Sequence, residues 1–336
     1  MILVTGGCGY IGTHTIVELL NSGEEVLIVD NLVNSSDICL NRIMKITGKA
    51  PIFIFGDISD KLLLNNIFTD YDITAVIHFA GLKSVSESNR DALLYFNVNV
   101  VGTLNLLQCM ESAGVFKLIF SSSATVYGEA VESPISEDAP VGVTKNPYGT
   151  SKYLIERILM DLAFSNSKWS VAILRYFNPI GAHSSGLIGE DPSGTPDNLI
   201  PFVAQVASGR LPIVEVYGAD YDTVDGSGVR DYIHVVDLAI GHIKALGYLA
   251  NAKGSHVFNL GTGIGYSVFE VLRSFEAITK VTIPYKVVAR RVGDVGVSYA
   301  DVTRSQQFLQ WKAKKDLTDM VKDTWNWQKY NPEGYK

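Results

Sequence analysis

Short runs of β-branched or aromatic apolar residues punctuate the first half of the chain, at Ile2–Val4, Val26–Val29, Ile52–Phe55, Ala75–Phe79, Leu118–Phe120 and Val171–Leu174. They lack the apolar/polar alternation of half-exposed strands, so each is expected to be buried on both faces. The intervening stretches are long enough for helices. Thr13–Asn21 is helix-like, and Val100–Ser112 and Ser151–Phe164 carry apolar residues at helical spacing, suited to core packing or to a dimer face. Buried strands alternating with helices predict βαβ units, hence an α/β fold with a doubly wound parallel sheet covered on both sides.

After Phe177 the pattern breaks. Asn178-Pro179, Gly181, Gly186, Gly189 and Asp191-Pro192-Ser193-Gly194-Thr195-Pro196 form a turn-rich stretch where a lobe boundary is expected. Val257–Leu260 then reads as another buried strand, ending at Gly261-Thr262-Gly263, so the chain is expected to return to the sheet. The smaller C-terminal lobe is therefore discontinuous. The expected division is 1–177 plus about 231–264 for the sheet domain, and 178–230 plus 265–336 for the second lobe.

Composition narrows the classes. With 336 residues, 47% hydrophobic and 19% charged, the chain can bury a substantial core. A net charge of −7 and the absence of any Lys/Arg run remove the electrostatic basis for holding nucleic acid. Cys8, Cys39 and Cys109 show no paired spacing, which fits a reducing cytoplasm better than a disulfide framework or a zinc site. The six histidines form no H-E-x-x-H or comparable cluster, so no metal is expected. The opening Met-Ile-Leu-Val-Thr has no signal-peptide features, and no apolar run approaches the roughly 20 residues that span a bilayer, so no membrane partner is expected.

The first strand leads into Thr5-Gly6-Gly7-Cys8-Gly9-Tyr10-Ile11-Gly12 and then a helix-like stretch. Gly7, Gly9 and Gly12 satisfy G-x-G-x-x-G, while Gly6, Gly9 and Gly12 repeat every three residues. In that context glycines admit a pyrophosphate close to the backbone at a helix N-terminus, as in a Rossmann domain. The second strand ends in Asp30, 18 residues after Gly12. A carboxylate there binds ribose hydroxyls and repels a 2′-phosphate, and Asp30-Asn31-Leu32 offers no arginine, so NAD is favoured. Asp57, followed by Ile58, stands after the third strand as a candidate for the adenine edge, with a surface turn the equal alternative. Phe79-Ala80-Gly81 places small residues where the sheet edge approaches the cofactor.

Tyr148-Gly-Thr-Ser-Lys152 sets a phenol and an ammonium four residues apart, on one face of a helix. A free phenol, with a pKa of about 10, is a poor base at neutral pH, and neighbouring positive charge lowers that value. Lys152 and an oxidised nicotinamide supply such charge, making Tyr148 a candidate general base. Upstream, the strand Leu118-Ile-Phe-Ser-Ser-Ser123 ends in hydroxyl residues, where strand ends face the ligand crevice of an open α/β sheet. Ser123 is the candidate to relay a substrate proton to Tyr148.

Together, Thr5–Gly12, Phe120–Gly128 and Tyr148–Lys152 resemble the extended short-chain dehydrogenase/reductase family. The match is nearer still to the UDP-galactose (UDP-glucose) 4-epimerases. Segments that carry it include His78–Lys83, Leu174–Pro179, Gly189–Pro192, Gly228–Val235 and Asn259–Gly263, and it runs from Met1 almost to Tyr335. The resemblance implies a cycle in which Tyr148, assisted by Ser123, takes the proton of the sugar 4-hydroxyl while the C4 hydride passes to NAD. The resulting 4-keto sugar turns over and regains both on its opposite face, so NAD stays bound. It further implies a homodimer, and a UDP-sugar held by Asn178, Asn198, Leu199, Arg230, Arg291 and Asp294. Guanidinium forks suit diphosphate oxygens, and Asn amides donate and accept. Lys83, Tyr176 and Phe177 are candidates for the sugar or cofactor face, with core or turn roles as the alternative.

Two positions depart from the family pattern. Paired asparagines are expected before Val-x-Gly-Thr, but the chain reads Asn97-Val98-Asn99, which weakens the case for Asn99 at the cofactor. The position beside the sugar, Tyr in the strict glucose/galactose type, is Ser298. Loss of a ring from the pocket wall makes room for an N-acetyl group at C2, so UDP-GlcNAc and UDP-GalNAc are expected substrates, unless Tyr299 closes the space. A nucleotide-sugar 4,6-dehydratase is disfavoured because Ala124 and Thr125, not acidic residues, follow Ser123. A non-catalytic dinucleotide sensor would have little use for Ser123, Tyr148 and Lys152 together.

Overall fold

A computed structural model describes residues 1–128, 132–192, 194, 196, 198–291 and 294–336. Ser193 and Thr195 of the turn-rich stretch lie outside the described residues, as do Val292 and Gly293 beside Arg291. In chain order the strands are β1 (Ile2–Thr5), β2 (Val26–Asp30), β3 (Ile52–Phe55), β4 (Ala75–His78), β5 (Lys117–Ser123), β6 (Ser170–Tyr176), β7 (Asn178–Ile180), β8 (Val214–Tyr217), β9 (Val229–His234), β10 (Gly254–Leu260), β11 (Gly265–Ser267), β12 (Tyr285–Val288) and β13 (Val297–Ser298). Seven of them form one parallel sheet in the order β10-β6-β5-β4-β1-β2-β3. Strand order reverses between β1 and β4, the switch point where a crevice opens beyond the carboxyl ends of the strands.

The residue pattern explains the layering. β1, β2, β4 and β6 are buried along their whole length, as continuous apolar runs require when helices cover both faces. One apolar cluster gathers Ile16, Leu19 and Leu20 with Val4, Ile28 and Leu174 on one face of the sheet. A second packs Leu3, Leu27, Val76 and Phe120 against Leu106, Met110, Ile155 and Leu159 on the other. β3 departs from the expected full burial: it is the edge strand, and Ile52 and Phe55 are 37% and 67% exposed. The helical stretch read at Val100–Ser112 is longer than the spacing predicts, running continuously over Ala92–Ser112 with a π-helical segment at Phe96–Val101. This helix alone, among the described residues, is long and apolar enough to cross a membrane by length and composition, and it packs on helix Pro147–Ser165.

Beyond the main sheet, β9 pairs in parallel with β7 and β13 and antiparallel with β11, while β8 pairs with β12. Ile200, Val203, Val214, Tyr232, Phe275 and Met320 build a separate core there. The chain returns to the main sheet at β10, which extends it beside β6.

Candidate active site

Residues singled out in the sequence converge on the carboxyl edge of the sheet. The glycine turn follows β1, Asp30 ends β2, Asp57 follows β3, Phe79-Ala80-Gly81 follows β4, Ser123 ends β5 and Tyr176 ends β6. Gly6 adopts a left-handed φ of +69°, and a Cβ on it would lie 2.6 Å from the Ala80 nitrogen. A Cβ on Gly12 would lie 2.6 Å from the Gly6 oxygen. The turn therefore closes only with glycine, and it brings the start of helix Tyr10–Asn21 against the β4 end. Gly9 caps that helix without a side-chain hydrogen bond, so the first-turn N–H groups have no side-chain cap.

Asp30 is nearly buried and accepts from the Cys8 N–H at 2.9 Å, the Leu32 N–H at 2.9 Å and the Ser35 hydroxyl at 2.9 Å. Three bonds leave one of about four acceptor positions for a ligand hydroxyl. Asn31 donates to Asp57 at 2.6 Å, which joins the β2 and β3 ends. Burial opposes ionisation of Asp57, but hydrogen bonds from Ser59 and Asn31 outweigh it and hold the carboxyl below its usual range. Ile58 is buried beneath this turn. Asn99 accepts from the Leu82 N–H at 2.8 Å and donates to the Leu82 carbonyl and the Ser151 hydroxyl. In this structure its amide braces the turn after Gly81. Tyr10 donates to the Gly181 carbonyl at 2.6 Å, while Ile11 packs on the apolar cluster below.

Helix Pro147–Ser165 presents the phenol and the ammonium. Pro147 occupies its first turn and the Asn146 side chain accepts from the Gly149 N–H at 2.8 Å, so the start of the helix is fixed one residue before Tyr148. Lys152 donates to the Ser121 carbonyl at 2.7 Å and lies 4.9 Å from the Phe120 ring centre and 5.9 Å from that of Tyr148. Burial pushes the ammonium down to about 8, against the charge of Glu156. Burial raises the Tyr148 phenol, and hydrogen bonding with Ser123 pulls it back. Ser123 itself accepts from the N–H and the hydroxyl of Thr125, at 3.2 and 3.0 Å. With its lone pairs so occupied, Ser123 keeps its proton for an oxygen in the crevice, the orientation in which it draws the Tyr148 phenol down.

The remaining candidates divide. Arg230 on β9 is paired in register with Ser298 on β13 and lies 3.6 Å from Asp294, so these three share one wall. Arg291 is exposed and stacks 3.8 Å from the Tyr217 ring centre. Asn178 and Asn198 are exposed, and Asn198 starts helix Leu199–Ala207 without a side-chain cap bond. Lys83 crosses to Glu190 at 3.2 Å. Phe177 is packed in a cluster with Val126, Tyr127, Ile135 and Ala300, and the Tyr176 hydroxyl is bonded to His242. Sequence reading missed Glu156 and Arg175, a fully buried pair directly behind Lys152. Its signal was the four-residue step of Tyr148 and Lys152 continued once more, to Glu156. Among the described residues no group of three His, Cys, Asp or Glu is arranged to hold a metal.

Comparisons with known proteins point in one direction. The family described as the NAD dependent epimerase/dehydratase family matches residues 2–261. A UDP-glucose 4-epimerase of Haemophilus influenzae is 57% identical over 335 residues, covering 100% of this chain and 99% of the relative. The crystal structure of a UDP-glucose 4-epimerase from Stenotrophomonas maltophila, with bound NAD and formylated UDP-arabinopyranose, superimposes with a TM-score of 0.97 at 50% identity, covering 98% of each chain. That of a Bifidobacterium longum UDP-glucose 4-epimerase in complex with NAD+ and UDP gives 0.95 at 51% identity and 99% of each.

Proposed function

Because this chain belongs to the NAD dependent epimerase/dehydratase family, we propose that it is an isomerase that binds NAD and inverts C4 of UDP-glucose and UDP-galactose through a 4-keto sugar. The observation that carries the reading is the meeting of Ser123, Tyr148 and Lys152 at the sheet edge, beside the glycine turn.

The residues fit the cofactor. The turn has no room for a Cβ at Gly6 or Gly12, and the uncapped helix start at Gly9 with Tyr10 and Ile11 suits a pyrophosphate. Asp30 and Asn31 would take the adenosine ribose, Asp57 and Ile58 the adenine edge, and Phe79, Ala80, Gly81, Lys83, Asn99 and Tyr176 the remainder of the groove. When bound, NAD supplies a reversible hydride acceptor. Tyr148 receives the proton of the sugar 4-hydroxyl, directly or through Ser123, and returns it after the sugar has turned. Lys152 lowers the cost of the phenolate by its charge. Asn178, Asn198, Leu199, Arg230, Arg291 and Asp294 hold the UDP portion, with Phe177 behind them. Residues 1–177 plus about 231–264 then form the NAD domain, and 178–230 plus 265–336 the UDP-sugar lobe, with the boundary near 231 moved to the end of β9 at His234, since β9 pairs with β7, β11 and β13. Elimination of water, as in a 4,6-dehydratase, lacks its acid and base, since Ala124 and Thr125 follow Ser123.

Ser298 extends the reading to UDP-GlcNAc and UDP-GalNAc. The pleat puts Ser298 and Arg230 on one face and Tyr299 on the other, where its ring neighbours Gly265. Tyr299 therefore does not fill the place left by the serine. The three cysteines are buried and free, which suits a reducing cytoplasm. The enzyme is also a homodimer in this reading. Leu93, Val101, Leu104 and Leu154 lie 36–80% exposed on two helices that pack together, an apolar face apt for an isologous interface. Light scattering should give twice the chain mass for the native protein and the single mass for Leu104→Asp/Leu154→Asp; a native monomer refutes the dimer.

The central test is direct. Denatured protein is expected to release NAD, and fresh protein given UDP-galactose without added cofactor is expected to form UDP-glucose. Absence of both overturns the proposal.

A further inference from the structure

Tyr148, Lys152 and Glu156 follow one another at four-residue steps, so they share one face of helix Pro147–Ser165. Each meets a different residue of the β5 end. Ser123 draws the Tyr148 phenol down, Lys152 donates to the Ser121 carbonyl, and Glu156 accepts from the Ser122 hydroxyl. The first two contacts belong to the chemistry above. The third is unexplained by it, and it is built at some expense: Glu156 and Arg175 are 1% and 2% exposed. Arg175 forks onto both carboxylate oxygens, at 3.0 and 2.7 Å, and also donates to the Glu137 carbonyl.

Lys152 needs such a neighbour. It is 6% exposed, and burial favours the neutral amine. The titratable and charged groups around it are Tyr148 and Glu156 on its own helix, His78 on β4, and Arg175 and Tyr176 on β6, with Tyr95 facing Tyr148 from helix Ala92–Ser112. His78 is held neutral, pushed down to about 3 by burial and by the charge of Lys152. Arg175 does not surrender its proton. Among these groups Glu156 is the anion.

We infer that Glu156, held in place by Arg175, is a positioning residue that keeps the Lys152 ammonium charged beneath Tyr148; this rests on the roles given to Tyr148 and Lys152 above. Without the carboxylate, Arg175 and Lys152 are two buried cations with no counter-charge, and the lysine is the one that yields its proton. Without the guanidinium, the carboxylate is left to Lys152 alone, and the ammonium keeps its proton more firmly. The two removals therefore act in opposite directions, which a merely structural pair would not produce.

The experiment follows the Lys152 ammonium by nitrogen-15 NMR of lysine-labelled protein, its signal assigned by loss in Lys152→Met, alongside the alkaline limb of kcat. Glu156→Gln is expected to lower the Lys152 midpoint by about one pH unit, a tenfold change in its proton affinity, and to pull the alkaline limb down with it. Arg175→Gln is expected to raise the midpoint. Midpoints that move in the same direction, or not at all, overturn the inference. Glu156→Asp keeps the charge and should stay within about half a unit of the native value. It decides the matter if Glu156→Gln does not fold, since a fall of about a unit there overturns the inference too. If Lys152→Met instead keeps native turnover, it is the catalytic reading that fails, and the NMR titration still settles whether Glu156 holds the proton.

Discussion

Tyr148→Phe is expected to lower kcat for UDP-galactose by roughly 10²–10⁴, the usual worth of a positioned acid-base group, while KM stays within about threefold and bound NAD is retained. The basis is the placement of the hydroxyl. Ser123, whose own acceptor sites are taken by Thr125, draws the phenol down, and the Lys152 ammonium lies 5.9 Å from the ring centre. Phenylalanine keeps the ring and its packing, and removes only the oxygen proposed to take the proton. A loss in kcat without a loss in KM marks an interaction made in the transition state. Burial raises the phenol in the protein alone, so at neutral pH Tyr148 is protonated until positive charge arrives beside it. The acid limb of kcat should accordingly reflect a group well below the raised value and should vanish from the residual activity of Tyr148→Phe. Activity within tenfold of native, with the acid limb intact, would show that another group takes the proton.

Much of this site was legible because its parts are local in sequence. The glycine turn, Asp30 at the end of a strand, and a phenol and ammonium four residues apart all state their geometry through spacing alone. The sheet was legible for the same reason: β1, β2, β4 and β6 are each built round an unbroken apolar run, and such runs have few other places to go. β3 misled because its apolar run reads like the others, while its exposure is set by its place at the sheet edge, which depends on topology and not on its own residues. Strands of two or three residues, such as β7, β11 and β13, carry too little period to be seen.

The buried pair of Glu156 and Arg175 was hidden differently. A glutamate on a helix is by default a surface residue, and the partner that buries it arrives 19 residues later, on a neighbouring strand. The π-helical segment at Phe96–Val101 coincides with the family departure at Val98, yet nothing in the spacing announces it. Asn99 adds a role that sequence did not show: beside its proposed place at the cofactor, its amide makes three hydrogen bonds within the chain, to Leu82 and Ser151.

Ser298→Tyr carries the other large effect. Sequence alone could not place Ser298, because its neighbour Arg230 lies 68 residues earlier and the register between them is not written in either segment. The register settles which side chains share a face. Ser298 stands with Arg230, and Arg230 lies 3.6 Å from Asp294, whereas Tyr299 falls on the opposite face, near Gly265. A tyrosine at 298 would project a ring into the space beside Arg230 that the serine leaves open. With the sugar placed as proposed, that ring would be a wall for a hydroxyl at C2 and an obstruction for an N-acetyl group. The substitution is therefore expected to cut kcat/KM for UDP-GalNAc by about 100-fold, equivalent to about 2.7 kcal/mol, and to leave UDP-galactose within about threefold of native. Parallel assays of the two substrates read the ratio directly and cancel any general loss of stability. Undiminished UDP-GalNAc turnover in Ser298→Tyr would mean that the acetyl group lies elsewhere and that this wall does not set the choice of sugar.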